Sequence, residues 1–288
     1  MSYNNTQLTT ASSFDVNQLI FSQPQPGTIP NSVPPIAYKR VNISIRNPDG
    51  TVGDLVLQTE QLFSFGVSAN RDPTTQQING YVMPLCLWNR DGATAAEKKW
   101  TDMFNAIVES CKQHLIDEKE EIEKYDLDES DLKKFNPLYW KREKGKIVSG
   151  TGPTLYCKLI VSKKDGNERI ISVFYDGDTG DQVDPMQLMG KYCYVNAAVK
   201  VESIFIGNKC SLQIKLWEAQ VSVVESGMKR LLQPSATFKP LAKQDVPLAI
   251  EEEKQEIQSV GSIEDSDEED YASPKSVPVK KKVVRSRK

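Results

Sequence analysis

Apolar and polar residues alternate with a period of two over much of the chain, the signature of half-buried β-strands. Val41, Ile43 and Ile45 are separated by polar residues, residues 47–50 (NPDG) are a turn signal, and 52–58 alternates again, which predicts a β-hairpin. Residues 81–88 form a further strand that Pro84 marks as edge or bulged. From Thr94 the period changes: Trp100, Met103, Phe104, Ile107, Val108 and Cys111 fall at helical spacing, followed by an acidic stretch to Asp131. This predicts a helical insertion at about 93–135, as one long helix or two shorter ones. The β pattern then returns in 154–161, 169–175, 191–206 and 209–224, the last two joined at Gly207 and Asn208, with a helical turn over 184–189.

Splitting each strand by side-chain parity separates a core face from a polar one. Leu155, Cys157, Leu159 and Val161 leave Tyr156 and Lys158 opposite; Cys193, Val195, Ala197, Val199 and Val201 leave Tyr192, Tyr194, Asn196 and Lys200; Cys210, Leu212, Ile214 and Leu216 leave Ser211, Gln213, Lys215 and Trp217. Flat rings interspersed with cations suit single-stranded nucleic acid, because bases stack on the rings at about 1–3 kcal/mol each while the cations follow the phosphates. The competing reading is that the rings lie under the helical insertion as a second core. A second cluster, Tyr139, Trp140, Lys141, Arg142, Lys144 and Lys146, leads into the loop Gly150, Thr151, Gly152 and reads as a mobile rim that closes over a bound strand, or else as a solvated linker with one buried Trp. The expected fold is therefore mainly β with an α insertion, an OB-type antiparallel β-barrel over 38–227.

Composition shapes the ends. Residues 1–37 contain no Lys or Arg and are rich in Asn, Gln, Ser, Thr and Pro, which predicts a disordered arm. Residues 228–288 read as a disordered tail. Within it 251–270 carries ten acids against one base, and 275–288 seven bases and no acid. The net charge of -3 hides this segregation, and the stretch 139–250 holds sixteen bases against eleven acids. A mildly basic domain tethered to an acidic segment can have its groove occupied by that segment until a stronger polyanion displaces it. Ser262 and Ser266 lie among acids, as substrates of an acid-directed kinase do.

The run 152–158 (GPTLYCK), Asp184 and Pro185 with 188–191 (LMGK), and the hairpin 195–215 with its IFIGNKCSLQIK turn resemble the single-stranded DNA-binding proteins of nucleocytoplasmic large DNA viruses. Those are similar to podophage-type OB-fold replication proteins with an acidic tail. The resemblance spans about 40–225 and is best after Tyr139. It implies sequence-independent binding of strands exposed in viral DNA replication, recombination and repair, with the tail recruiting replication proteins. One departure is that the acids here precede a basic terminus, which reads as a nuclear import signal, a second polyanion contact or an internal neutraliser.

Other chemistries find little support. Cys86, Cys111, Cys157, Cys193 and Cys210 stand singly in apolar stretches, without CxxC pairs, and read as reduced, buried hydrophobes rather than disulfides or zinc ligands. His114, the single histidine, reads as a surface helix residue rather than a catalytic base. Gly145 and Lys146 lack the rest of a phosphate loop. Residues 176–181 (DGDTGD) fit an ordinary turn better than a calcium loop, since position twelve is Gln187. The expectation is a non-enzyme without cofactor or metal that binds single-stranded DNA, as a monomer or homodimer. No apolar run is long enough to cross a membrane, so an intracellular setting is expected: a cytoplasmic replication site, the nucleus or a virion. The alternative is a virion or scaffold protein that uses the same sheet to bind protein.

Overall fold

The computed structural model describes residues 5–29, 35–72, 75–164 and 167–224. The acidic and basic segments of the tail, with Ser262 and Ser266, lie outside the described residues.

The strands are β1 (Leu8–Thr9), β2 (Leu19–Phe21), β3 (Gln25–Thr28), β4 (Ala37–Arg46), β5 (Val52–Gln58), β6 (Leu62–Ser64), β7 (Ser68–Arg71) and β8 (Ile78–Cys86). After helix α1 (Ala95–Asp117) come β9 (Leu138–Tyr139), β10 (Arg142–Glu143), β11 (Lys146–Ile147), β12 (Thr154–Leu159), β13 (Val161–Lys164) and β14 (Asn167–Ile170). The chain continues through β15 (Val173–Asp176) and β16 (Gln182–Val183) to β17 (Cys193–Ile206) and β18 (Cys210–Val223). Fourteen of these strands share one sheet, while β10 pairs with β11 and β13 with β14 separately. Among the described residues the architecture is mainly β with one α-helix, as the periodicity predicts.

Five pairings close on themselves: β6 with β8, β8 with β12, β12 with β18, β18 with β17, and β17 with β6. Residues on the inner side of this circuit, among them Leu62, Met83, Leu85, Leu155, Cys157, Val195, Val199, Leu216 and Val221, are buried. Parity thus assigns the core face of β12, β17 and β18 correctly. The expected purely antiparallel sheet needs correction. β12 and β15 both run parallel to β18, and β1 parallel to β5, because these strands are joined by long crossovers rather than tight turns.

Strand β17 organises the rest. One edge pairs with β18 throughout, whereas the other is shared by β6 at residues 193–195, β5 at 198–201 and β4 at 203–206. Against β18, register shifts fall between Ala198 and Val199, at the start of the β5 stretch, and between Val201 and Ser203, where β4 takes over from β5. Bulges of this kind add twist and bend, which lets one strand serve three neighbours lying in different directions.

The helix caps the interior rather than the outer wall. Thr94 Oγ1 accepts from Glu97 N at 3.2 Å and the Glu97 carboxylate accepts from Thr94 N at 2.7 Å, a reciprocal capping box. Burial works to raise the Glu97 pKa, but hydrogen bonds from Thr94 and the Arg90 guanidinium outweigh it and hold the carboxyl below its ordinary value. Trp100, Phe104, Ile107 and Leu115 join the same hydrophobic cluster as the strand interiors, and Trp100 Nε1 donates to Gln58 O at 2.8 Å.

The expectation of a disordered arm over 1–37 is corrected for its described part. β2 and β3 pair with β4, β1 pairs with β5, and Asn47 Nδ2 donates to Asn5 O at 2.8 Å. Backbone ladders do not depend on side-chain polarity, so a polar composition does not prevent pairing along the open edge of β4. Gly53 lets the segment lie close: a Cβ there would stand 2.7 Å from Asn5 O. His114 is likewise half-buried rather than a surface residue. Its ring stacks on Phe21 of β2 with centroids 4.2 Å apart. Burial lowers its pKa against the opposing pull of Glu118 and Asp117.

Lys200 Nζ lies 3.0 Å from Asp54 Oδ2, both side chains being at most one-tenth exposed. Removing one partner strands the other charge in the interior. Lys200→Met is therefore expected to cost roughly 3–5 kcal/mol in urea denaturation, and Asp54→Asn with Lys200→Met together much less. His114 supplies a second check. Its depressed folded-state pKa makes its contribution complete above the unfolded value of about 6.5 and progressively lost as pH falls below it. Urea stability at pH 5.5 should fall relative to pH 7.5, and His114→Gln should shrink the difference.

Candidate nucleic-acid interface

On the outer side of the closed circuit, cross-strand partners line up in one rung. Ser222 lies opposite Tyr194, Tyr194 opposite Phe63, Phe63 opposite Cys86, Cys86 opposite Thr154, and Thr154 opposite Tyr139. Neighbouring strands lie about 4.8 Å apart, so Tyr194 and Tyr139 stand roughly 19 Å from each other across four strand spacings.

The tyrosines on this rung stand open. Tyr194 is 48% and Tyr139 40% exposed, as is Tyr192 beside them at 56%, which excludes the reading that the inserted helix seals these three, while Phe63 between them is half-buried. Two further members lie outside the faces that strand parity identifies. Phe63 on the short β6 and Phe65 just past its end, the latter 49% exposed, complete a cluster with Tyr192 and Tyr194. Phe63 lies 5.8 Å from Tyr192 and 6.1 Å from Tyr194, and Phe65 lies 5.3 Å from Phe63, between ring centroids. Only the alternation of Leu62, Phe63, Ser64 and Phe65 hinted at this, and three strand residues are too few to establish a period.

Tyr156 sits beside Tyr139, ring centroids 6.2 Å apart in an edge-on arrangement. Burial, then Tyr139 and Cys86, push its hydroxyl pKa up. Trp140 packs edge-on against Trp88 at 5.8 Å, a partner absent from the sequence expectation. The loop before β12 is pinned there: Gly152 N donates to Trp88 O at 2.9 Å and Leu87 N to Pro153 O at 3.0 Å. A Cβ on Gly152 would fall 2.3 Å from Trp88 Cδ2, so this close approach requires glycine.

The basic cluster forms a small hairpin of β10 and β11 whose turn residues Lys144 and Gly145 have φ of 48° and 79°. Both signs positive make it a tight primed turn that matches strand twist. Lys141, Arg142, Lys144 and Lys146 are exposed on it. Lys141 stands 3.8 Å from Glu143, and Arg142 Nη1 donates to Gly145 O at 3.3 Å.

The remaining expected residues fall elsewhere. Val82, Lys158, Lys215 and Lys200 oppose one another in a second rung, on the side of the circuit formed by β12, β18 and β17. Lys158 and Lys215 are half-buried. Lys200 is corrected as a phosphate contact, because its ammonium is enclosed and paired with Asp54. Trp217 lies at the register shift of β18, half-buried, with Lys200 Nζ 5.3 Å from its ring centre. It is apart from the aromatic rung.

No catalytic constellation forms at the other motifs. Asp176 accepts from Asp178 N at 2.8 Å and Thr179 N at 2.9 Å, and the backbone bonds to Thr179 and Asp178 lower its pKa, as in an ordinary hairpin turn. Among the described residues no three His, Cys, Asp or Glu side chains converge. Cys86, Cys111, Cys157 and Cys193 are buried thiols without disulfides, burial pushing Cys111 up to about 12. No helix among the described residues is long and apolar enough to cross a membrane.

A family model described as "Protein of unknown function (DUF2738)" matches residues 12–258. The chain is similar to "Uncharacterized protein 007R" of Invertebrate iridescent virus 3, 29% identical over 171 residues, 58% of this chain and 36% of that protein. It thus spans about a third of that relative's length. It is also similar to "Early 31 kDa protein" of Frog virus 3 (isolate Goorha), 29% identical over 209 residues, 71% of this chain and 76% of that protein. Both relatives are viral, in line with the setting that the sequence resemblance implies.

The Trp88 contact yields a direct check. Gly152→Ala should displace the Trp88 ring and diminish the near-ultraviolet circular dichroism of the Trp88 and Trp140 pair, at a cost of about 1–3 kcal/mol in stability.

Proposed function

The chain belongs to the family described as "Protein of unknown function (DUF2738)", and from the face it builds we propose that it is a non-enzymatic single-stranded DNA-binding protein acting on viral DNA during replication, recombination and repair. The observation that carries this reading is the rung of Tyr194, Phe63 and Tyr139, whose two tyrosines are exposed, with Tyr192, Phe65 and Tyr156 beside it and a hairpin of exposed cations at one end. Rings that offer flat faces to solvent take bases of any identity, and nearby cations follow the phosphates.

The fold proposed for this function is an OB-type barrel. In sequence order the closed circuit runs first, second, third, fifth, fourth and back to first strand, with a parallel contact between third and fifth, which is Greek-key connectivity around a small barrel. OB barrels bind oligonucleotides across their second and third strands, here β8 and β12, and the aromatic rung crosses both. The excess of bases over acids in 139–250 agrees in sign. The frog virus relative is named an early protein, and early supply suits a replication factor.

A second reading, protein binding in a virion or scaffold, draws on the apolar surface that continues past the rings. Met186, Met189, Val223 and Val224 are exposed, and Val224 N donates to Tyr192 O at 2.9 Å.

One titration separates the two. Under the DNA reading oligo(dT) quenches tryptophan fluorescence, salt weakens the binding, and Tyr139→Ala costs about 1–3 kcal/mol. A protein-binding scaffold leaves the fluorescence unchanged at every oligonucleotide concentration, which would overturn the DNA reading.

A further inference from the structure

The geometry points to a bipartite grip: we propose that a DNA single strand is held at two stations about 10 Å apart, one where stacking dominates and one where charge dominates, so that salt loosens chiefly the second. The inference rests on the single-strand reading above.

The first station is the cluster of Phe63, Phe65, Tyr192 and Tyr194. Its rings touch one another edge-on or tilted, and three of the four are about half exposed. Lys191 is its neighbouring cation along the chain. The second station is Tyr139 and Tyr156 with Trp88 and Trp140, and directly after Trp140 the chain enters the hairpin carrying Lys141, Arg142, Lys144 and Lys146. Between the stations lie Cys86 and Thr154, which offer no aromatic ring; Cys86 is buried with Sγ 3.9 Å from Thr154 Oγ1.

Two consequences follow from this spacing. A strand must bridge the ringless saddle before it gains both sets of stacking contacts, so affinity should step upward once the oligonucleotide reaches about four residues, the low end of OB-fold site sizes. A dinucleotide occupies one station or the other. Counterion release accompanies phosphate neutralisation, so the salt dependence should reside mainly in the hairpin with its four cations, while the rings of the first station contribute a salt-independent increment.

The full chain can be tested with labelled oligo(dT) of two, four, eight and twelve residues by anisotropy across a salt series. Tyr192→Ala with Tyr194→Ala should weaken twelve-residue binding roughly 30-fold or more at every salt concentration while leaving the log–log salt slope unchanged. Lys144→Asn with Lys146→Gln should lower that slope by about 1.4, from about 0.7 per phosphate contact. Asn tolerates the positive φ at position 144. All four side chains are exposed, and unchanged thermal midpoints will show that both variants fold. If the two variants alter the slope equally, or affinity rises evenly from two to twelve residues, the two-station grip is overturned while DNA binding stands. If the unaltered protein retains no oligonucleotide at low salt, the single-strand reading itself falls, and the stations with it.

Discussion

The division of one edge of β17 among β6, β5 and β4 governs the rest of the structure. A strand that kept one partner along its length would extend a flat sheet. Changing partners twice, with register shifts against β18 on either side of 199–201, forces β17 to bend, and its partner β18 bends with it. That bend returns the ladder from β18 through β12 and β8 to β6. It leaves the inner side of all five strands for one apolar core and the outer side for chemistry. The cost of so many long-range pairings is loop closure entropy, which the shared hydrophobic cluster with α1 must offset.

The outer wall is then divided by what covers it. Over β5 the amino-terminal segment lies close, with Thr6 Oγ1 3.3 Å from Asp54 N, and the Lys200 and Asp54 pair is enclosed. Across β17, β6, β8 and β12 no described segment seals Tyr194, Tyr192, Phe65 and Tyr139, because α1 turns its apolar face to the interior. The same parity pattern on one strand therefore produces an open tyrosine at 194 and an enclosed lysine at 200. Side-chain direction is a local property; exposure depends on which distant segment lies above.

Placement on a sheet also separates the rigid from the adaptable parts of the candidate site. Tyr194 and Phe63 rest on strands held by ladders on both sides, so their rings are presented at fixed spacing, and Phe65 and Tyr192 stand just outside the ends of those strands. The β10 and β11 hairpin, by contrast, has only two rungs of its own and exposed side chains, a low-stability element that can adapt to a backbone passing over it. Binding that needs no particular base sequence benefits from both properties: fixed rings for stacking and movable cations for an irregular phosphate path.

The sequence by itself determined the strand periods, the core faces of β12, β17 and β18, the helix from Trp100 to Cys111 and the aromatic residues at 139, 156, 192 and 194. These depend on alternation and helical spacing, which are written locally along the chain. Only the tertiary structure decided that Phe63 and Phe65 join those tyrosines, that Trp88 receives Trp140, that residues 5–29 pair into the sheet despite their polar composition, and that Lys200 faces Asp54 rather than solvent. Each of those outcomes is set by contact between segments far apart in the chain, and period or composition within one segment carries no information about what packs against it.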